Sequence, residues 1–91
     1  MIHVLKSTYL QSPDVIEQTR PAHLDFLKDE IAAGRLLLAG RQADGSGGVL
    51  ITADLADEDV DAMVARDPYT RAGVASYERT SFNGAFRAPG L

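Results

Sequence analysis

Two short apolar runs in the middle of the chain limit what it can fold into. Arg35 to Arg41 holds Leu36-Leu37-Leu38-Ala39, and Val49-Leu50-Ile51-Thr52-Ala53 follows after Asp44-Gly45-Ser46-Gly47-Gly48. The first run starts directly after Gly34, a helix stop, and is too short for another helix, so it reads as a strand. The glycine-rich stretch is a turn and the second run returns as the other arm of a hairpin. Successive strand side chains point to opposite faces. Leu36 and Leu38 should therefore oppose Leu37, and Val49 and Ile51 should oppose Leu50, which makes both faces of the hairpin apolar. A sheet built on it needs cover on two sides.

The flanking segments supply one cover. Met1 to Leu10 is rich in β-branched and aromatic residues, with Ile2, Val4, Thr8 and Leu10 on one side and His3, Leu5, Ser7 and Tyr9 on the other, the pattern of a strand. Gln11-Ser12-Pro13-Asp14 breaks it, with Ser12 placed as an N-cap and Pro13 as a first helical position. Val15 to Thr19 can turn helically. The main helix is predicted from about Pro21 to Ala33, because proline suits a first turn far better than an interior. After the hairpin, Asp54 is placed to cap a helix from Leu55 to Arg66, which ends because Asp67 precedes Pro68. Tyr69 to Gly73 reads as a short connection, Val74 to Phe82 as a last strand, and residues 83–91 as an irregular tail.

The resulting order, β-α-β-β-α-β, predicts one α+β domain over residues 1–91: a four-stranded antiparallel sheet with two helices on one face. A chain of 91 residues has only a small core. The bare second sheet face would exceed the apolar patch of a few hundred Å² that a monomer usually tolerates. A second copy of the chain, packed sheet against sheet, is the expected cover, and a tail folded back over the face is the alternative.

Two ionisable groups sit where apolar side chains should be. Arg20, His23, Leu24, Leu27 and Ile31 fall at i, i+3, i+4, i+7 and i+11, one stripe of the first helix, so His23 points at the core. A buried imidazole needs a partner, since an unpaired polar group costs about 1–3 kcal/mol. Val60, Met63, Val64 and Asp67 make a matching stripe in the second helix, and Asp67 is the candidate partner. If the two meet, Asp67 fixes the tautomer of His23 and leaves the other ring nitrogen free to take a proton. The alternatives are a core histidine satisfied by a backbone carbonyl, a purely architectural pair, and an Asp67 making only a local turn bond before Pro68. Arg20, one turn from His23, either anchors a substrate carboxylate or phenolate or pairs with Asp14 or Glu17. Tyr9 either lines the pocket or belongs to the core. His3 is a strand residue near the N-terminus, and Arg35, Arg41 and Arg71 are expected to be solvated at element ends.

Arg20-Pro21-Ala22-His23-Leu24, then Gly34-Arg35-Leu36-Leu37-Leu38-Ala39-Gly40, then Asp67-Pro68-Tyr69 with Ala72-Gly73-Val74, in that order and spacing, resemble the YciI-like (YCII) family of small proteins. The match runs from the first strand to the last. It implies a ferredoxin-like α+β domain that pairs through its sheets into a dimeric α+β barrel, and a pocket holding a histidine–aspartate pair at the positions of His23 and Asp67. One branch of the family is similar to a dehydrochlorinase acting on a chlorinated hydroxyhydroquinone, and muconolactone isomerases share the barrel. The short glycine-rich hairpin turn and the Ala-Pro-Gly-Leu end depart from the family pattern. The implied function is a small lyase or isomerase that needs no cofactor and acts on a hydroxylated or carboxylated ring compound. A non-catalytic small-acid-binding or partner module of the same fold is the alternative.

Other chemistries find no support in the residues. A net charge of −4 argues against a general nucleic-acid binder, and the third strand has no aromatic on which a base could stack. No segment is apolar enough to cross a membrane, and the N-terminal residues lack the pattern of a signal peptide, so a cytoplasmic protein is expected. With no cysteine and two histidines at unrelated positions, a metal site is not expected. Asp54 to Asp61 spreads its carboxylates around a helix and cannot cage calcium. Asp44 to Gly48 lacks the lysine of a phosphate loop, and Ser46 lies between strands, not at a nucleophile elbow.

Overall fold

Parity along the first strand decides which face of the sheet the helices cover. In the computed structural model, which describes residues 1–91, β1 (Ile2–Tyr9) buries His3, Leu5 and Ser7 and exposes Lys6 and Thr8. It is followed by α1 (Pro13–Ala32), β2 (Leu36–Arg41), β3 (Gly48–Thr52), α2 (Asp57–Arg66), a single turn α3 (Pro68–Arg71) and β4 (Ala75–Phe82). The strands form one antiparallel sheet in the order β2-β3-β1-β4, and Leu5, Leu36 and Leu50 from three of them pack against Phe26 of α1 and Val60 and Met63 of α2. Fully burying a side chain such as Leu5, Val60 or Met63 contributes about 1.5–3 kcal/mol. The fold is the ferredoxin-like α+β arrangement expected from the order of the elements.

The hairpin departs from strict alternation. Leu36 pairs with Thr52 and Leu38 with Ile51, so Leu37 is an extra residue in a β-bulge. Leu36 is 2 % exposed beneath the helices, whereas Leu38 is 53 % exposed on the opposite face. The two leucines therefore lie on opposite faces, not on one as the alternation predicts.

The first helix is continuous through Pro21, where two segments were expected. Pro21 and Glu17 are both on the exposed side, so water can hydrate the Glu17 carbonyl that the proline leaves without a donor. Ser12 occupies the N-cap position without a side-chain hydrogen bond. The buried stripe is also offset from the predicted one: Ile16, Phe26 and Glu30 are buried, while Leu24 and Ile31 are exposed. A buried Glu30 is tolerated because Arg35 and Arg66 both donate to its carboxylate, tying the end of α1 to β2 and α2.

Gly34 and Gly73 end α1 and α3 in the same way. Each has positive φ, and the amide after it returns to the carbonyl five residues back, Arg35 to Glu30 and Val74 to Tyr69. Asp54 does not cap α2, which starts at Asp57 after Ala56. Leu55 instead lies outside the helix, its amide bonded to the Met1 carbonyl and its own carbonyl accepting from His3, and Asp54 pairs with the N-terminus and Arg87. The tail after β4 reaches only one end of the open sheet face, where Gly84 packs on Ile2. Leu38 and Phe82 stay exposed on that face, with Val4, Val49 and Ile51 half-buried between them. No helix is long and apolar enough to cross a membrane.

Candidate active site

The site begins with a proline. Pro68 disfavours helical geometry in the residue before it, so Asp67 takes φ −63° and ψ 123°, α2 stops, and the Asp67 side chain turns to cap α3. Its Oδ1 accepts the Tyr69 amide at 2.9 Å and also the Nδ1–H of His23 at 2.7 Å. Its Oδ2 accepts the hydroxyl of Tyr77 from β4. One oxygen thus performs both the local turn bond and the long-range contact, and the second serves another strand. Asp67 is completely buried with three donors and no lysine or arginine among them. Charge-assisted hydrogen bonds of this kind are what allow a carboxylate inside an apolar core.

His23 is nearly as well fixed. Because a carboxylate only accepts, Nδ1 carries the proton of the neutral ring and Nε2 is the bare nitrogen. Nε2 has no protein partner and is open to solvent. The ring plane is set by Tyr69, stacked on it with centroids 3.9 Å apart and planes 10° apart, and Tyr69 is braced edge-on by Tyr9 at 5.9 Å. Burial raises the Tyr69 phenol above its ordinary pKa. Burial first, and then the Asp67 charge and its hydrogen bond, push Tyr77 up much further, so Tyr77 keeps its proton and acts as a donor to Asp67.

His23, Tyr69, Tyr77 and Tyr9 line a cavity of about 160 Å³. Leu24, Leu27 and Leu50 give it an apolar wall, and Ser7, Arg20 and Arg41 give it polar edges. An apolar cavity of roughly 150 Å³ accepts benzene, so the space suits one six-membered ring. No three histidine, aspartate or glutamate side chains converge as a metal site would require.

All four residues singled out from the sequence meet here. Arg20 does both things weighed for it, lining the cavity and pairing with Glu17 at 3.4 Å. Arg41 was expected to be merely solvated, yet it shares the helix-covered side of β2 with Ala39 and lines the cavity. Tyr77 and Tyr69 were missed as site residues. The β-alternation carried a signal for Tyr77, which lies directly across from Ser7 in the register of β1 and β4. His3 is fully buried away from this site, with Nε2–H donating to the Leu55 carbonyl at 2.8 Å and Nδ1 2.6 Å from the Ser81 hydroxyl.

The family model of the YCII-related domain matches residues 1–83. The chain belongs to the YCII family. No curated protein sequence matches it. Among solved structures, this YCII chain is similar to the 5-chloro-2-hydroxyhydroquinone dehydrochlorinase TftG of Burkholderia phenoliruptrix AC1100, determined in complex with 2,5-dihydroxybenzoquinone. The two are 21 % identical with a TM-score of 0.77, over 91 % of this chain and 94 % of the other. It is also similar to a proposed antibiotic biosynthesis monooxygenase of Nitrosomonas europaea (17 % identity, TM-score 0.63, 94 % and 100 % covered). Rv0793 of Mycobacterium tuberculosis matches comparably (15 %, 0.62, 94 % and 100 %). At these identities the likeness establishes the fold that the YCII chain shares with them, and a fold alone does not carry an activity.

Proposed function

We propose that this protein is a small lyase or isomerase that uses His23 and Asp67 for acid–base chemistry on a compact hydroxylated or carboxylated ring compound. The observation that carries the reading is the bare, solvent-open Nε2 of an imidazole whose other nitrogen is tied to a buried carboxylate beside a ring-sized cavity. Nε2 takes a proton from a substrate hydroxyl or from carbon next to a carbonyl. The electron pair left behind forms a carbonyl or enolate, and in an elimination the leaving group departs with its own bonding pair. Asp67 stabilises the imidazolium that forms, and Arg20 holds an anionic group of the substrate. No nucleophile is needed. The similarity to a dehydrochlorinase, whose name denotes loss of hydrogen chloride, supports an elimination among these reactions.

A second reading is a non-catalytic member of the fold that binds a small acid or serves a partner. It is favoured by the double duty of Asp67 Oδ1, which caps α3 as well as holding His23. His23→Asn separates the two. Assayed against a panel of chlorinated hydroxyhydroquinones and enol-lactones, with chloride release and absorbance as readouts, it should lose about 10²–10⁴-fold in turnover while melting within a few degrees of the wild type. A wild type inactive across the panel, or a variant that only unfolds, favours the second reading.

We further propose that the protein works as a homodimer joined through its open sheet faces. The apolar surface around Leu38 and Phe82, which the tail leaves uncovered, supports this.

A further inference from the structure

Two arginines at the cavity share one carboxylate oxygen. Arg20 Nη1 of α1 lies 3.4 Å and Arg41 Nη2 of β2 lies 3.8 Å from Oε1 of Glu17. Both arginines are among the residues that line the cavity holding His23, and Glu17 is not, lying instead along an adjoining groove that it shares with Arg41 and Tyr9. Both contacts are long for charge-assisted hydrogen bonds, which run at about 2.7–2.9 Å, and Glu17 is more exposed than either arginine. One carboxylate therefore spans two cations that it satisfies poorly, and the three side chains together keep a net positive charge in a chain whose formal net charge is −4.

We propose that Arg20 and Arg41 form a two-sided carboxylate subsite and that Glu17 is its resident competitor, displaced when a ring carboxylic acid enters. This rests on the reading of the cavity as a ligand site and narrows its ligand from ring compounds in general to those carrying a carboxylate. The geometry favours exchange. An incoming carboxylate can place one oxygen on each guanidinium, from α1 on one side and β2 on the other, whereas Glu17 offers a single oxygen to both. The fork of a guanidinium matches a carboxylate's two oxygens, so the arriving ligand gains short bonds where Glu17 had long ones. With the carboxylate held between Arg20 and Arg41, the ring extends toward Leu24 and Leu27 and the acidic hydrogen toward His23. Glu17 swings out into solvent, where a glutamate is well hydrated.

The competitor role fixes the sign of an otherwise ambiguous substitution. Two probes, 2,5-dihydroxybenzoate and hydroquinone, differ by the carboxylate alone, and their binding can be compared by calorimetry at low and physiological salt. The wild type should prefer 2,5-dihydroxybenzoate, and Arg41→Gln should reduce that preference about tenfold. Glu17→Gln should bind 2,5-dihydroxybenzoate several-fold more tightly, because the competitor is gone, and the gain should shrink as salt screens the arginines. Equal binding of the two probes, absence of binding by both, or weaker 2,5-dihydroxybenzoate binding in Glu17→Gln overturns the proposal. The last result would make Glu17 a brace for the arginines. His23→Asn keeps the carboxylate preference in this scheme, so loss of turnover in that variant reports on the acid–base reading and loss of preference in Arg41→Gln reports on the subsite.

Discussion

Asp67 shows how much one side chain can do once a proline has ended the helix before it. The carboxylate is fully buried, and its Oδ2 depends on a single donor, the Tyr77 hydroxyl. Tyr77→Phe removes that donor without altering shape, leaving half of a buried carboxylate unpaired, so it should cost about 1–3 kcal/mol in urea unfolding. The tautomer of His23, read from its ¹⁵N shifts, should become mixed as Asp67 gains freedom to turn. The same bond predicts a response to alkali. Tyr77 holds its proton far more tightly folded than unfolded, so its contribution is complete below its unfolded value of 10.0 and is lost as the pH climbs beyond it. Stability should therefore fall on the alkaline side, less steeply in Tyr77→Phe, and ultraviolet titration should find Tyr77 ionising only with unfolding and Tyr69 ionising above the ordinary phenol range. At this scale the sequence was most legible where helical spacing put a polar group on an apolar stripe, as with His23 and Asp67. It was least legible where the partner came from a strand, because Tyr77 looks like any β-forming aromatic until the register of β1 and β4 is known.

Element boundaries followed local chemistry where a backbone rule acted alone and departed from it where tertiary contacts supplied the missing partners. Asp67-Pro68 and Gly34 stopped their helices as expected, whereas Pro21 did not, because Pro21 and Glu17, the residue whose carbonyl it leaves without a donor, are both on the exposed side of α1. The turn α3 was unreadable, since four residues carry no periodicity. Its exit still depends on Gly73, whose φ of 69° an alanine adopts only with strain of about 1–2 kcal/mol. A Cβ there would meet nothing within 4 Å, so Gly73→Ala should lower stability by roughly that backbone cost alone, measured by chemical denaturation. The buried stripe of α1 was misplaced for a different reason: Glu30 reads as a surface residue until Arg35 and Arg66 are seen to enclose it. Desolvation would raise the Glu30 pKa, but the hydrogen bonds from Arg35 and Arg66 outweigh it and bring the value below the unfolded 4.5. Its stabilisation is thus complete above that pH and lost as the pH falls toward the folded value. Glu30→Gln should flatten the acid limb of the stability profile and cost about 1–2 kcal/mol at neutral pH, a modest figure because both guanidinium groups are over a third exposed.

For the whole molecule, the two-faced hairpin and the bulge within it lead to the same question of assembly. Without the bulge, Leu36 and Leu38 would both lie under the helices; with it, Leu38 joins Val4, Val49, Ile51 and Phe82 on the face the helices do not cover. The tail spends its contacts at one corner, on Ile2 and Asp54, and leaves the middle of the sheet open. Covering that middle with a second sheet removes apolar area from both copies at once, and at roughly 25 cal/mol per Å² even a few hundred Å² outweighs the loss of a single polar contact. Light scattering should accordingly give twice the 9.8 kDa chain mass at micromolar concentration. Leu38→Lys places a charge at the centre of the face without touching the helix-side core, so it should shift the mass to that of one chain while preserving the far-ultraviolet circular dichroism. A wild type that scatters as one chain, or a Leu38→Lys variant that remains paired, would mean that the open face is not the surface that joins two copies.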